Sequence, residues 1–210
     1  MFVSTPHQSY YTSQGRPSSL YQKAGWKRAC QLVHLIHFRF NLSYTNQNEF
    51  DYFRNIILPN TEYSWTESLY IDDIINRLNL IVIFKRLRSL TINHLQTKNI
   101  HLLTNTVLPE LKQLDRLSLH SDFVLKSSDI NLLTAVIFSE QMSSLTYCCL
   151  GFYDNDLMTF DHLDTKHRTL SLITLVIDQW CRLTDLIRLL HAIPNIQRLT
   201  VRLLYSRIRG

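Results

Sequence analysis

Hydrophobic and polar positions alternate in one short phrase that recurs over residues 85–204 of the 210-residue chain. The phrase has an apolar residue, two variable residues, leucine, one variable residue and a second apolar residue. Its five copies begin at Leu87, Leu114, Met142, Leu172 and Ile196. Successive copies start 27, 28, 30 and 24 residues apart. Because a period of two is typical of half-buried strands, the sequence predicts one strand in each of these units.

Segments between the strand phrases have the spacing of amphipathic helices, with apolar residues three, four and seven positions apart. Small polar residues that favour helix starts precede three of them, at Thr97, Ser127 and Thr184. A further helix is predicted over residues 66 to 78, and a buried strand over residues 80 to 84. The chain therefore alternates strands with helices.

This alternation predicts an α/β fold. Right-handed crossovers between parallel strands place the helices on one side of the sheet, and no single unit buries its apolar face alone. We therefore expect an irregular, horseshoe-shaped solenoid, with parallel strands on its concave face and helices on its convex face. We expect residues 29–210 to form this domain, most clearly over residues 85–204, after a flexible basic tail at residues 1–28.

The phrase resembles the repeat of the leucine-rich repeat family, L-x-x-L-x-L-x-x-N/C-x-L. The resemblance covers residues 85–204 well and residues 29–84 weakly. Where the family has Asn or Cys, this chain has Leu95, Asp122, Leu150, Trp180 and Leu204. Long, helix-bearing units without the Asn ladder are similar to the repeats of F-box/leucine-rich-repeat proteins, the substrate receptors of cullin-type ubiquitin ligases. We see no F-box in the sequence.

The solenoid architecture separates core positions from surface positions. Repeat-position Leu, Ile and Val are expected in the core, together with Trp180. Alternate strand residues point away from the core, and the phrase alignment places Cys148 among them. The predicted partner-binding residues are Arg88, Thr91, Asn93, Arg116, Ser118, His120, Thr146, Asp178, Arg198 and Arg202. Their hydroxyl groups and recurring arginines suit a protein surface that carries acidic groups.

Net charge changes this picture little. The chain carries +5, with 22 Lys and Arg against 17 Asp and Glu. Five basic residues and no acidic residue precede Glu49, and the rest of the chain is balanced. An alternative function, nucleic-acid binding through the basic tail and the arginine-bearing strands, therefore has weak electrostatic support.

The sequence contains no catalytic or cofactor motif that we recognise. Its four glycines cannot supply a phosphate-binding glycine-rich loop. Cys148 and Cys149 face opposite sides of a strand without an evident basic partner, and His34 and His37 also point apart. Residues 161–167 gather potential ligands without the spacing of a zinc site. We expect no metal, no cofactor and no enzyme, and a hydrolase centred on residues 161–167 is the third alternative.

Cellular location and function follow from these expectations. The first residues lack the pattern of a secretory signal, and no apolar run reaches the roughly 20 residues that a membrane helix needs. We predict an intracellular protein, cytoplasmic or nuclear, that binds a protein partner on its concave face. Its specific form would be a substrate-recognition fragment of an F-box-type ubiquitin-ligase receptor, with ligase components as further partners. We also expect the strand over residues 196–201 to have an edge that further repeats or a partner cover.

Overall fold

Seven strands form one sheet. They are β1 (Phe38–Asn41), β2 (Thr66–Asp72), β3 (Ser89–Asn93), β4 (Arg116–Ser121), β5 (Tyr147–Phe152), β6 (Thr174–Cys181) and β7 (Arg198–Leu203). Their order in the sheet is their order in the chain, and every neighbouring pair is parallel. The predicted α/β class with parallel strands is therefore confirmed.

The structure is a computed structural model. It describes residues 38–42, 48, 51, 55, 66–72, 81–82, 84, 86–153, 158–163 and 171–203. All of these belong to one unit, Ile36–Gly210. The predicted tail at residues 1–28 lies outside the described residues.

Helical segments connect several of the strands. They are α1 (Thr97–Leu102), a π-helical turn (Leu103–Val107), α2 (Leu108–Glu110), α3 (Ser127–Ile137), a 3-10 turn (Glu140–Met142) and α4 (Leu183–Ala192). The three predicted start residues lie in the first turns and not before them: Thr97 and Ser127 are the first residues of α1 and α3, and Thr184 is the second residue of α4. Pro109 has no N–H to donate, which accounts for the irregular helical hydrogen bonding around it.

Alternate strand residues enter a single hydrophobic core. In register across β3 to β6 lie Leu90, Leu117, Cys148 and Leu175, and next to them Ile92, Leu119, Leu150 and Ile177. All of these are at most 1% exposed. The helices add residues such as Ile100, Leu133 and Leu189 to the same core, so the helices cover this face of the sheet.

The opposite face of the sheet is not covered by the described helices. Sequential parallel strands need crossovers of one hand, and right-handed crossovers all pass on the same side. We call the other side the open face. It carries the half-buried residues Thr91, Ser118, Cys149 and Val176.

Buried Ser121 fixes the turn that follows β4. Its hydroxyl lies 2.7 Å from the carbonyl oxygen of Leu95 in the preceding unit and 3.0 Å from that of Phe123. The amide N–H of Phe123 donates to the same hydroxyl at 3.1 Å. This serine thus ties two neighbouring units together.

Two of the element predictions are wrong. Residues 66–72 form β2 and not a helix, because Leu69 and Ile71 pair with Leu90 and Ile92 of β3 and are buried beside them. The helical spacing further along the segment masked this alternation. In the segment predicted as a strand, Ile81 is helical and Phe84 is irregular, although both are buried.

The register of the third phrase is also wrong, by three residues. We predicted that Leu145 would pair with Leu117, but Cys148 occupies that place. Cys148 is fully buried and does not lie on the surface, because cysteine behaves as a small hydrophobic residue. A second, overlapping phrase runs from Leu145 to Leu150 with Cys148 at the leucine position, and the structure uses this one.

Trp180 is exposed, contrary to the prediction that it lies in the core. Its exposed fraction is 47%. Alternation continues along β6, with Gln179 and Cys181 buried on either side of Trp180. Trp180 therefore follows Val176 and Asp178 on the outward side of the sheet.

Candidate functional site

The open face presents two rows of side chains across β3 to β7. The first row contains Ser89, Arg116, Tyr147, Thr174 and Arg198, and the second contains Thr91, Ser118, Cys149, Val176 and Thr200. Neighbouring strands lie about 4.8 Å apart, so each row is about 19 Å long. All of these side chains are half-buried or exposed. The face therefore offers regularly spaced groups on a rigid support.

Eight of the ten predicted partner-binding residues lie on this face, at three levels along the strands. At the N-terminal ends of the strands lie Arg116 and Arg198, and the exposed Arg88 directly precedes β3. In the middle lie Thr91 and Ser118. At the C-terminal ends lie Asn93, His120, Asp178 and Arg202. The strands thus bring these residues onto one surface.

Thr146 lies outside the strand, as Arg88 does, although the predicted register placed it beside Ser118. It precedes β5, and its amide N–H donates to the carbonyl of Asp115 at 2.9 Å. Its hydroxyl donates to the Asp115 carboxylate. Thr146 therefore holds the start of β5 against the segment that leads into β4.

Tyr147 and its neighbours form the centre of the first row. The guanidinium carbon of Arg116 lies 5.3 Å from the centroid of the Tyr147 ring, within the range of a cation–π contact. Cys149 lies two residues further along β5, on the same face. Burial raises the pKa of both the Tyr147 hydroxyl and the Cys149 thiol. Both groups are therefore protonated at neutral pH.

Polar groups at the C-terminal strand ends have mixed charge. His94 Nδ1 lies 2.6 Å from Asp122 Oδ2, and Arg202 lies 2.6 Å from the Asp178 carboxylate. Burial lowers the pKa of His120, and the charges of Asp178 and Asp122 act in the opposite direction. The C-terminal strand ends thus carry carboxylates together with basic groups, whereas Arg116 and Arg198 lie at the N-terminal ends.

Potential ligands in residues 161–167 have structural partners where they are described. The Asp161 carboxylate pairs with the guanidinium of Arg188, and His162 Nε2 lies 2.7 Å from Thr134 Oγ1. Asp164 and His167 fall outside the described residues, as do His34 and His37. Among the residues whose positions are described, no three His, Cys, Asp or Glu side chains cluster as metal ligands would.

No family model, curated protein or solved structure matches this chain. Within the described segments, no helix has both the length and the apolar character that a bilayer-spanning helix needs.

Sequence reasoning missed three open-face residues of β5, Tyr147, Cys149 and Gly151, and the exposed Trp180 of β6. Tyr147 and Cys149 were missed because the third phrase was aligned three residues early. The overlapping phrase from Leu145 to Leu150 contains the signal that would have placed them. Trp180 was missed because alternation continues along β6 beyond the phrase.

Proposed function

We propose that this protein is a non-catalytic scaffold that binds a protein partner on its open face. The main support for this proposal is that the described helices pack on one face of the sheet only. The other face presents rows of half-exposed side chains in fixed register. In this proposal the units form a solenoid that resembles leucine-rich repeats, and the open face is its concave side. Such stacked repeats suit extended binding surfaces.

The charges of the open face favour a partner with acidic groups. Arg88 and Arg116 are exposed at neighbouring N-terminal strand ends, and the Tyr147 ring beside Arg116 adds an amphipathic contact. Arginine and tyrosine are enriched where protein interfaces gain most of their binding energy. Carboxylates of a partner would pair with the guanidinium groups, and the row of hydroxyl groups would supply hydrogen bonds.

The same charge distribution gives nucleic acid less support. A polyphosphate chain that crossed the face would meet Asp122 and Asp178, which are both exposed. The raised pKa of the Cys149 thiol keeps it in its non-nucleophilic form, which favours a role without catalysis. By resemblance of repeat style, the specific form of the proposal is substrate recognition for an F-box-type ubiquitin ligase in the cytoplasm or nucleus.

Charge reversal on the open face tests this function. We would compare Arg88→Glu/Arg116→Glu with a control that has the same charge change on the connecting segments, Lys98→Glu/Lys126→Glu. All four side chains are exposed. Circular dichroism would establish that both variants stay folded, and affinity purification with quantitative mass spectrometry would measure the bound proteins.

We expect the open-face variant to recover a defined set of partner proteins in amounts at least tenfold lower than wild-type protein does. The control variant should recover them in wild-type amounts. Recovery of ubiquitin-ligase components with wild-type protein would support the proposed role in substrate recognition for an F-box-type ubiquitin ligase. Equal recovery of partners by both variants would refute the open face as the binding surface.

A further inference from the structure

A second surface lies at the β7 end of the sheet, apart from the centre of the open face. Among the described strands, β7 pairs with β6 only. The amide N–H of Arg198 donates to the carbonyl of Ile173, on the β6 side, at 3.0 Å. Because successive backbone groups of a strand point to opposite sides, those of Leu199 and Val201 point to the other edge. This edge offers backbone donors and acceptors to an added strand.

Apolar side chains of β7 are less buried than their neighbours in β6. Leu175 and Ile177 are 0% and 1% exposed. Leu199 and Val201, which pair with them, are only half-buried, and Leu203 is 44% exposed. These core-side residues thus form an apolar rim along the edge.

Helix α4 extends this apolar rim. Leu183, Ile187 and Leu190 follow one another at helical spacing and are 63%, 48% and 39% exposed. Arg188, on a different side of the helix, pairs with Asp161 of the connection between β5 and β6. The apolar stripe therefore points away from the preceding unit, toward the β7 end.

Helix α3, which lies between two described units, has no exposed apolar stripe like that of α4. No apolar residue of α3 larger than Ala135 is exposed, and its Leu132 and Val136 are half-buried against the core. Helix α3 has described units on both sides, whereas α4 has a described unit on one side only.

Four arginines lie around the apolar rim, of which Arg188 pairs with Asp161 and Arg202 pairs with Asp178. The exposed arginines between residues 182 and 203 are Arg182, Arg188, Arg198 and Arg202. The one acidic residue of α4 and β7, Asp185, is buried. This combination of apolar and cationic groups suits a partner segment that carries both apolar and acidic residues.

A second copy of the chain fits this edge less well. If two copies paired their β7 strands antiparallel about Thr200, Arg198 of each would lie opposite Arg202 of the other. Like charges directly opposite each other destabilise a strand pair. An acidic segment would replace this repulsion with attraction.

We infer that the β7 edge is a strand-addition site for an extended segment of a partner protein in which acidic and apolar residues alternate. Main-chain hydrogen bonds to Leu199 and Val201 supply the attachment. Acidic side chains of the segment reach Arg198 and Arg202 on the open face, and its apolar side chains cover the rim. Strand addition of this kind takes affinity from the main chain and specificity from alternate side chains.

The test uses a fluorescein-labelled octapeptide of alternating Leu and Glu, with binding measured by fluorescence anisotropy. One control peptide has Lys in place of Glu, and another is N-methylated at alternate residues, so that it cannot donate main-chain hydrogen bonds. The protein variants are Val201→Pro, which removes an edge N–H without removing a bond to β6, and Arg198→Glu. The variant Arg88→Glu/Arg116→Glu tests whether the part of the open face away from β7 contributes to peptide binding.

We expect the Glu peptide to bind, and N-methylation, Val201→Pro and Arg198→Glu each to weaken it at least tenfold. Arg88→Glu/Arg116→Glu should bind it as wild type does, which separates this site from the surface of the proposed function. The N-methylated peptide tests the edge on wild-type protein even if Val201→Pro does not fold. No binding, equal binding of the Lys or N-methylated peptide, or a dimer that slows hydrogen exchange in β7 would overturn the inference.

Discussion

At the scale of single residues, His120 and Gly151 share one position on the open face. The two residues pair across β4 and β5. A Cβ atom added to Gly151 would lie 2.7 Å from Nδ1 of His120, which is closer than real Cβ contacts allow. Glycine is therefore required here by the imidazole beside it and not by an unusual backbone conformation.

Gly151→Ala should destabilise the protein by about 1 kcal/mol, because the half-buried ring has to move to admit the methyl group. In a His120→Ala background the same change should stabilise the strand by about 0.5 kcal/mol, since Gly is a poor strand residue. A double-mutant cycle in urea measures both values. Equal effects in the two backgrounds would show that the ring does not rest against Gly151.

At the scale of elements, the turn after β4 is connected to the preceding unit by the hydroxyl of Ser121. The family resemblance implied that the turns lack their usual polar connection, because Asn is missing at the expected position. Ser121 supplies such a connection one residue earlier, with partners in its own turn and at Leu95.

Ser121→Ala should cost about 1–3 kcal/mol, because it leaves the buried carbonyl of Leu95 without its hydroxyl donor. Ser118→Ala is the matched control on the same strand, since Ser118 is half-buried on the open face. We expect its effect to stay within about 0.5 kcal/mol. Chemical denaturation of the two variants makes the comparison, and similar costs would contradict a special role for Ser121.

The sequence predicted some strands more accurately than others. The phrases at Leu87, Leu114, Leu172 and Ile196 predicted strand, face and mutual register correctly, because each offers only one alternating frame. The phrase at Met142 offers two frames, and pairing with β4 selects the second. In residues 66–72, pairing with β3 overrides a helical spacing. Single-sequence periodicity contains no information about such neighbours, so the open face was predicted without Tyr147 and Cys149.

At the scale of the whole molecule, burial depends on how many neighbours a unit has. Internal strands are covered on both sides, and their core residues are almost fully inaccessible. The β7 unit has one described neighbour, and the same positions in it remain partly accessible. Stability should therefore be distributed unevenly along the sheet.

Leu117→Ala, in the middle of the sheet, should cost about 2–5 kcal/mol, as large-to-small changes at fully buried sites do. Leu199→Ala occupies the equivalent position in β7 and should cost about 1 kcal/mol, because less apolar surface is lost from the interior. Thermal or urea denaturation gives both numbers. A cost at Leu199 as large as that at Leu117 would show that the β7 end is as well covered as the centre.

The order of the strands also affects how the chain reaches this structure. Residues that pair across the sheet are only 21 to 31 positions apart in the chain. Folding rates rise as the sequence separation of contacts falls, and closing short loops costs little entropy. Any two adjacent units could form a nucleus, and the remaining units could join it one at a time. Lengthening one connection would then slow a single step of assembly and leave every other strand pair unchanged.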